Sequence, residues 1–257
     1  MTIPGKEIFS CHDRHGLIQV FDDGNKRYLA FGNDDEQSCL LKNAPSHLQY
    51  DYTKAMLLPL IFETKDLQPA EKQILILGLG AGSLANCLLK QLPDHSLTAV
   101  ELRQAVIDVA YDYFELSNHI SLTVLTADAK HHIENDRQQY RLIFSDIYSA
   151  SGMDDAQAQK SYLTHCLRLL ATHGWLVLNF WREHRANDQL LNFLKLHCQE
   201  IRIVTTESGN WIVMASKQRQ IIGHKQLLSN AKRLAEPLGF SLLPSLKRLQ
   251  TIKHKAY

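Results

Sequence analysis

Short apolar runs separated by turn residues fill the first fifty positions of this chain. From Ile74 onward, apolar runs alternate instead with longer segments of helical character. In the first part, Leu17-Ile18-Gln19-Val20-Phe21 and Arg27-Tyr28-Leu29-Ala30-Phe31 flank Asp22-Asp23-Gly24-Asn25, and Asp-Gly between two such runs predicts a hairpin. Gly32-Asn33-Asp34-Asp35 predicts a second turn. Residues 1–50 therefore read as a small antiparallel β-hairpin domain. Asp51 to Phe62 predicts a helix, with Tyr52, Met56 and Pro59 setting its spacing and end. Pro69 lies in a polar connector.

The second part, residues 51–257, carries strands expected near 74–78, 97–101, 120–126, 141–146, 174–180, 200–206 and 211–216. Helices are expected over 83–91, 103–116, 129–135, 156–171 and 185–198. Such alternation gives parallel strands joined by crossover helices. The last pair departs from it. Only Glu207-Ser208-Gly209-Asn210 separates the sixth strand from the seventh, too little for a parallel crossover, so the seventh must run antiparallel to the sixth. An α/β, Rossmann-like sheet of seven strands with an antiparallel last strand resembles the layout of S-adenosylmethionine-dependent methyltransferases. A further amphipathic helix is expected over 223–236, and residues 252–257 read as a loose polar tail.

At 257 residues the chain can hold one substantial core and a small extra domain. A formal net charge of +1 gives no electrostatic case for nucleic acid or membrane. No apolar run approaches membrane-spanning length, and the N-terminus has no apolar signal core, so a cytoplasmic protein is expected. Five scattered cysteines without a CxxC pair read as reduced thiols. His131-His132 has no partners at metal spacing and reads as two exposed helix histidines; no metal is expected.

The chemistry gathers at strand ends. Ile74-Leu75-Ile76-Leu77 runs into Gly78-Leu79-Gly80-Ala81-Gly82-Ser83 and then a helix. The GxGxG spacing is not the GxGxxG of dinucleotide enzymes, and there is no GKS/T of a P-loop. It is either a tight strand-to-helix turn or a loop whose backbone lies against a nucleoside. Glu101 ends the next strand, followed by Leu102. It can accept from two ribose hydroxyls, or act as an acid at a helix N-terminus. Asp128, before Ala129, is either a helix N-cap or the acceptor for an adenine amine. Asp146 ends the fourth strand, at the switch point where ligands lie in this architecture. It can serve as general base, as partner of a sulfonium, or as a capping acid. Tyr148 is a substrate-stacking ring or a lid aromatic, in a small polar loop over 147–155.

Residues 15–216 resemble the spermidine synthase (polyamine aminopropyltransferase) family. The N-terminal hairpin, Gln37-Ser38, Tyr52, the glycine loop, Val100-Glu101, Asp128-Ala129 and Phe144-Ser145-Asp146 carry the resemblance. It implies that Gly78, Gly80, Ala81, Gly82, Glu101, Leu102, Asp128, Ala129 and Asp146 bind the nucleoside. It implies Asp146 as catalytic base, and Tyr52, Tyr148 and Ser149 toward the substrate. The donor would be decarboxylated S-adenosylmethionine, the acceptor a diamine such as putrescine, and the protein a homodimer; S-adenosylmethionine itself and methylthioadenosine are the other nucleosides expected to bind.

Two departures stand out. The family's GGGDGG has an acid where this chain has Ala81, and its DSSDP has a second acid where this chain has Ser149. Tyr-His/Gln-Glu becomes Tyr52-Thr53-Lys54, and the family's early Gln falls at about Gly16. The adenosine-binding acids are kept and the amine-binding acids are replaced, with Asp154 and Asp155 as nearby substitutes. Three readings follow: an aminopropyltransferase; a methyltransferase on a small acceptor, binding intact S-adenosylmethionine; and a non-catalytic nucleoside-binding or regulatory module that uses the dimer surface.

Overall fold

The computed structural model describes residues 3–32, 36–62, 72–149, 152–153 and 155–253. The second expected turn, beyond Gly32, lies outside the described residues, as do Pro69, Asp154 and the tail from 254.

Four strands form the first sheet: β1 (Lys6–Asp13), β2 (Gly16–Asp23), β3 (Lys26–Ala30) and β4 (Glu36–Leu41). They pair antiparallel in chain order, so the expected hairpin is the centre of a wider meander. Its inward residues Ile18, Val20, Leu29 and Leu40 pack on Ala81, Val106, Val109 and Phe114 of the larger unit.

Helix α1 (Asp51–Met56) is shorter than expected and continues as a 3₁₀ turn, Leu58–Phe62. Pro59 explains the change, because it has no N–H for an i−4 bond. Leu57 N and Leu60 N instead donate three residues back, at 3.2 and 3.0 Å.

Then follow β5 (Gln73–Leu77), α2 (Ser83–Gln91), β6 (Ser96–Glu101), α3 (Gln104–Tyr113), β7 (Leu122–Thr126), α4 (Ala129–Asn135) and β8 (Tyr140–Ser145). The small strands β9 (Tyr148–Ser149) and β10 (Gly152–Met153) pair with each other. The chain continues through α5 (Lys160–Leu169), β11 (Leu170–Trp181), α6 (Asp188–His197), β12 (Glu200–Thr205), β13 (Asn210–Ser216), α7 (His224–Leu238), α8 (Leu243–Arg248) and β14 (Gln250–Thr251).

The large sheet has the order β14-β12-β13-β11-β8-β5-β6-β7. Its β13 runs antiparallel to both neighbours, as the short β12–β13 connection requires. It lies inside the sheet, between β12 and β11. An eighth strand, β14, covers β12, and Ile252 N bonds Ile201 O at 2.9 Å, so the first part of the expected loose tail is held.

Successive strand residues face opposite cores, as the pleat demands. Ile74, Ile76, Phe144 and Val177 face α1, α2 and α7; Leu75, Leu77, Ile143 and Leu178 face α4, α5 and α6. Each such buried aliphatic contributes about 1.5–3 kcal/mol. Helix α5 ends at Leu169, and β11 begins at once at Leu170, four residues before the expected start. Of the histidine pair, His131 is exposed, but His132 is largely buried beside Asp136, at 3.4 Å. Among the described residues no group of three potential metal ligands occurs, and no helix is long and apolar enough to cross a membrane.

Candidate active site

A cleft of about 410 Å³ lies over the carboxyl ends of β5, β6 and β8, where β5 and β8 adjoin and the chain reverses direction across the sheet. Gly78, Gly80, Glu101, Leu102, Asp128, Ala129, Asp146, Tyr52 and Tyr148 all line it. Elements far apart in sequence therefore bring nearly all the expected site residues together.

The glycine loop is shaped by backbone demands. Gly78 has φ +92°, and a Cβ there would meet the Asp146 carbonyl oxygen at 2.2 Å. Glycine is thus what lets the ends of β5 and β8 close on each other. Ala81 and Gly82 do not line the cleft. Ala81 has no exposed surface and packs among Val20, Phe31 and Val106; its N–H donates to Ser38 Oγ at 3.3 Å. The position where the family carries an acid is here part of the contact between the two sheets.

Glu101 spans the loop and the next helix. Its Oε2 accepts from Leu79 N at 3.1 Å and Gly80 N at 3.4 Å, and its Oε1 from Arg103 N at 3.1 Å. Burial pushes its pKa above the usual carboxylate value, against the pull of these N–H groups. Oε2 already accepts two N–H groups, so Oε1 is the oxygen with a lone pair left for a ligand hydroxyl. The loop-closing role and the ribose role are compatible.

Asp128 is the N-cap of α4: its Oδ1 accepts from Lys130 N at 2.8 Å and His131 N at 3.1 Å. It also lines the cleft, so the capping reading holds and its other oxygen stays available.

Asp146 sits beyond β8, and burial raises its carboxyl to about 6, against hydrogen bonds from Asn179 and Tyr52 that lower it. Asn179 Nδ2 donates to Oδ1 at 2.8 Å. Tyr52 donates its hydroxyl to the same carboxylate, and burial followed by that charge raises its own pKa well above normal. Tyr148 is raised by burial and then by Asp146, with Asn210 and Trp181 as hydrogen-bond partners. Beneath them, Ser145 Oγ bonds Gln157 Oε1 and lies against Tyr162 OH, each at 2.9 Å. Gln157 Nε2 donates to Asn179 O at 2.9 Å and anchors the segment after the loop. The side chains of Ser149 and Asp155 lie outside what the structure describes.

Asn179, Asn210, Trp181, Glu36 and Arg103 also line the cleft, beyond the residues to which the sequence motifs point. Asn179 had a signal: it is a polar residue inside the apolar run Trp175–Phe180, and it is 1% exposed. An amide buried in a strand needs partners, and a strand-end site supplies them.

No protein-family model matches the chain. Among curated proteins it is 30% identical over 227 residues to a polyamine aminopropyltransferase of Neisseria meningitidis serogroup B, spanning 86% of this chain and 83% of that one. The chain belongs to the polyamine aminopropyltransferase family. The resemblance read from the sequence is borne out. Over a shorter stretch, 57% of this chain and 23% of the other, it is 28% identical to a Xenopus laevis eEF1A lysine and N-terminal methyltransferase. The fold agrees with solved structures. A probable spermidine synthase from Corynebacterium glutamicum superposes with a TM-score of 0.76 at 17% identity, covering 97% of this chain and 91% of that one. A spermidine synthase in complex with the transition-state analogue AdoDATO gives 0.65 at 15% identity, covering 91% and 88%. Both support the mixed sheet with a small N-terminal sheet as the fold of this aminopropyltransferase family.

Proposed function

We propose that this protein transfers an aminopropyl group from decarboxylated S-adenosylmethionine to a primary amine, with Asp146 as general base. The observation that carries this reading is a single cleft in which Asp146, with a carboxyl raised to about 6, shares the lining with Glu101 and Asp128. In this reading Glu101 accepts from the ribose, Asp128 from the adenine amine with Ala129 N–H beside it, and Gly78, Gly80 and Leu102 shape the nucleoside pocket. Tyr52 and Tyr148 flank the incoming amine.

Asp146 takes a proton from the alkylammonium. The freed nitrogen lone pair attacks the carbon next to the sulfonium, a C–N bond forms, and the C–S pair passes to sulfur. The products are methylthioadenosine and the aminopropylated amine, with the proton left on Asp146. A base near pKa 6 is ionised at neutral pH yet basic enough to take the proton as the attack develops.

The first sheet, residues 1–50, acts in this proposal as a separate unit that closes the adenosine end. A cytoplasmic setting rests on five unpaired thiols, and a homodimer on family resemblance. Release of methylthioadenosine from the decarboxylated donor in the presence of small amines tests the reaction.

One observation favours a second reading. Ala81 is buried in apolar contacts and offers nothing to a donor's free ammonium. Intact S-adenosylmethionine carries a carboxylate beside its ammonium, which an acid at this position would repel, so its replacement by alanine removes an obstacle to the intact donor. Calorimetry separates the two: tighter binding of the intact donor than of the decarboxylated one supports methyl transfer, and the reverse order supports aminopropyl transfer.

A further inference from the structure

Two neighbouring residues of α1 reach Asp146 by opposite routes. Tyr52 bonds it directly. Asp51 reaches it the long way, through the turn between β12 and β13. Ser208 donates its backbone N–H to Asp51 Oδ2 at 3.0 Å, and its hydroxyl donates to Asp51 Oδ1. Ser208 Oγ lies 2.9 Å from Thr206 Oγ1, which accepts from Asn210 N at 3.0 Å. Asn210 Nδ2 donates to Asn179 Oδ1 at 3.0 Å, and Asn179 Nδ2 donates to Asp146 Oδ1 at 2.8 Å. Through the Asp51–Tyr52 peptide link, the polar chain closes into a ring that includes the carboxylate.

The direction of each bond matters. Asp146, once ionised, can only accept, so the NH₂ of Asn179 faces it and the Asn179 oxygen is left for Asn210 Nδ2. A flip of the Asn179 amide would set its oxygen against the carboxylate and its NH₂ against that of Asn210. Asn179 is also locked through its backbone, since its carbonyl accepts from Gln157 Nε2 at 2.9 Å. A strand residue held on both sides is a rigid support for a reacting group.

We propose that Asn179 is the positioning residue of the base: braced by Asn210, it occupies Oδ1 of Asp146 and, with Tyr52 on the same carboxylate, leaves the remaining lone pairs to the acceptor amine. The proposal rests on the aminopropyl-transfer reading for the identity of that amine, but not for the ring itself. Its second consequence is electrostatic. A donor on the ionised carboxylate favours the charged form. The titratable groups facing Asp146 are Tyr52 from α1 and Tyr148 from β9; Asp51 stands behind the first and Glu183 behind the second. None is a cation, so the ionised form leans on neutral donors.

The test is a ¹³C NMR titration of aspartate-labelled protein, with Asp146 assigned by loss of its signal in Asp146→Asn. Asn179→Leu keeps the shape and removes the donor. Its Asp146 midpoint should rise by about one unit, a tenfold change in the protonation equilibrium. Asn210→Leu, which frees the amide to flip, should move it the same way by less, and it serves as the test if Asn179→Leu does not fold. Asn179→Gln, which keeps an amide, should recover part of the shift. An unchanged midpoint in both leucine variants overturns the proposal. This readout needs no turnover, so it fails separately from the functional reading. If wild-type turnover is seen, the acid limb of kcat/KM in Asn179→Leu should move with the NMR midpoint, whereas a loss equal at every pH contradicts positioning of the base.

Discussion

Arg103 holds Asp13 in a two-pronged ion pair, with Nε and one Nη each 2.9 Å from a carboxylate oxygen. The same guanidinium donates to Gly16 O at 2.8 Å and lies over the Phe31 ring, 4.8 Å from its centroid. Arg103 also gives its backbone N–H to Glu101. One residue therefore fastens the first sheet to the Glu101 end of the cleft. The Arg103 side chain is 6% exposed and that of Asp13 22%, so breaking the pair strands a largely buried cation. Arg103→Lys keeps the charge but loses the fork. We expect it to cost roughly 1–3 kcal/mol of stability and to weaken methylthioadenosine binding several-fold, read by thermal melting and calorimetry.

Glu101→Gln tests the nucleoside grip. The carboxylate meets three backbone N–H groups with two oxygens, whereas glutamine offers one oxygen and turns an NH₂ toward a donor. Leaving a buried N–H unpaired costs about 1–3 kcal/mol. Affinity for methylthioadenosine should fall about 10–100-fold in calorimetry, with a lower melting temperature. An unchanged affinity would leave Glu101 with loop closure alone.

Gly78→Ala tests the approach of β5 to β8. The added Cβ would meet the Asp146 carbonyl oxygen at 2.2 Å, at a φ of +92° that alanine resists. The strain should destabilise the protein by roughly 2–4 kcal/mol in denaturant unfolding. It should also displace Asp146, so that turnover falls more than stability at 25 °C would explain.

The acid limb of activity follows from Asp146. Its carboxyl is raised to about 6, and a general base works only when ionised. The kcat/KM should therefore rise with pH through about 6 and fall about tenfold per unit below it. Stability has the opposite sign. A carboxyl raised in the folded state favours folding at low pH, and that advantage is lost between the unfolded value near 4 and the folded value near 6. Asp146→Asn removes the buried charge and keeps an acceptor for Asn179. It should gain stability relative to wild type as pH rises through this window, by about 1–3 kcal/mol at pH 8, and match wild type near pH 4.

Much of this architecture is written in the chain's periodicity. The run Ile74–Leu77 alternates between two cores, so it reads as a continuous apolar stretch and a buried parallel strand. The length of the Thr206–Gly209 turn sets β13 antiparallel. What that turn cannot show is that β13 slides between β12 and β11, because the choice of neighbour is made by long-range packing. The strand ends put Glu101, Asp128 and Asp146 in one place, which the alternation anticipates. Asn179, Asn210 and Arg103 were less legible, since their roles depend on partners 31 to 90 positions away. Ala81 shows the reverse case: its place in the glycine motif suggests a ligand contact, and its side chain faces the first sheet instead.

The most direct measurement is mass spectrometry of products from decarboxylated S-adenosylmethionine and a panel of small mono- and diamines, run with wild type and Asp146→Asn. Wild type should give methylthioadenosine and a stoichiometric aminopropylated amine, and Asp146→Asn should lose at least about 100-fold with methylthioadenosine binding retained by calorimetry. No methylthioadenosine from wild type with any amine, or equal turnover by Asp146→Asn, would contradict aminopropyl transfer with Asp146 as base.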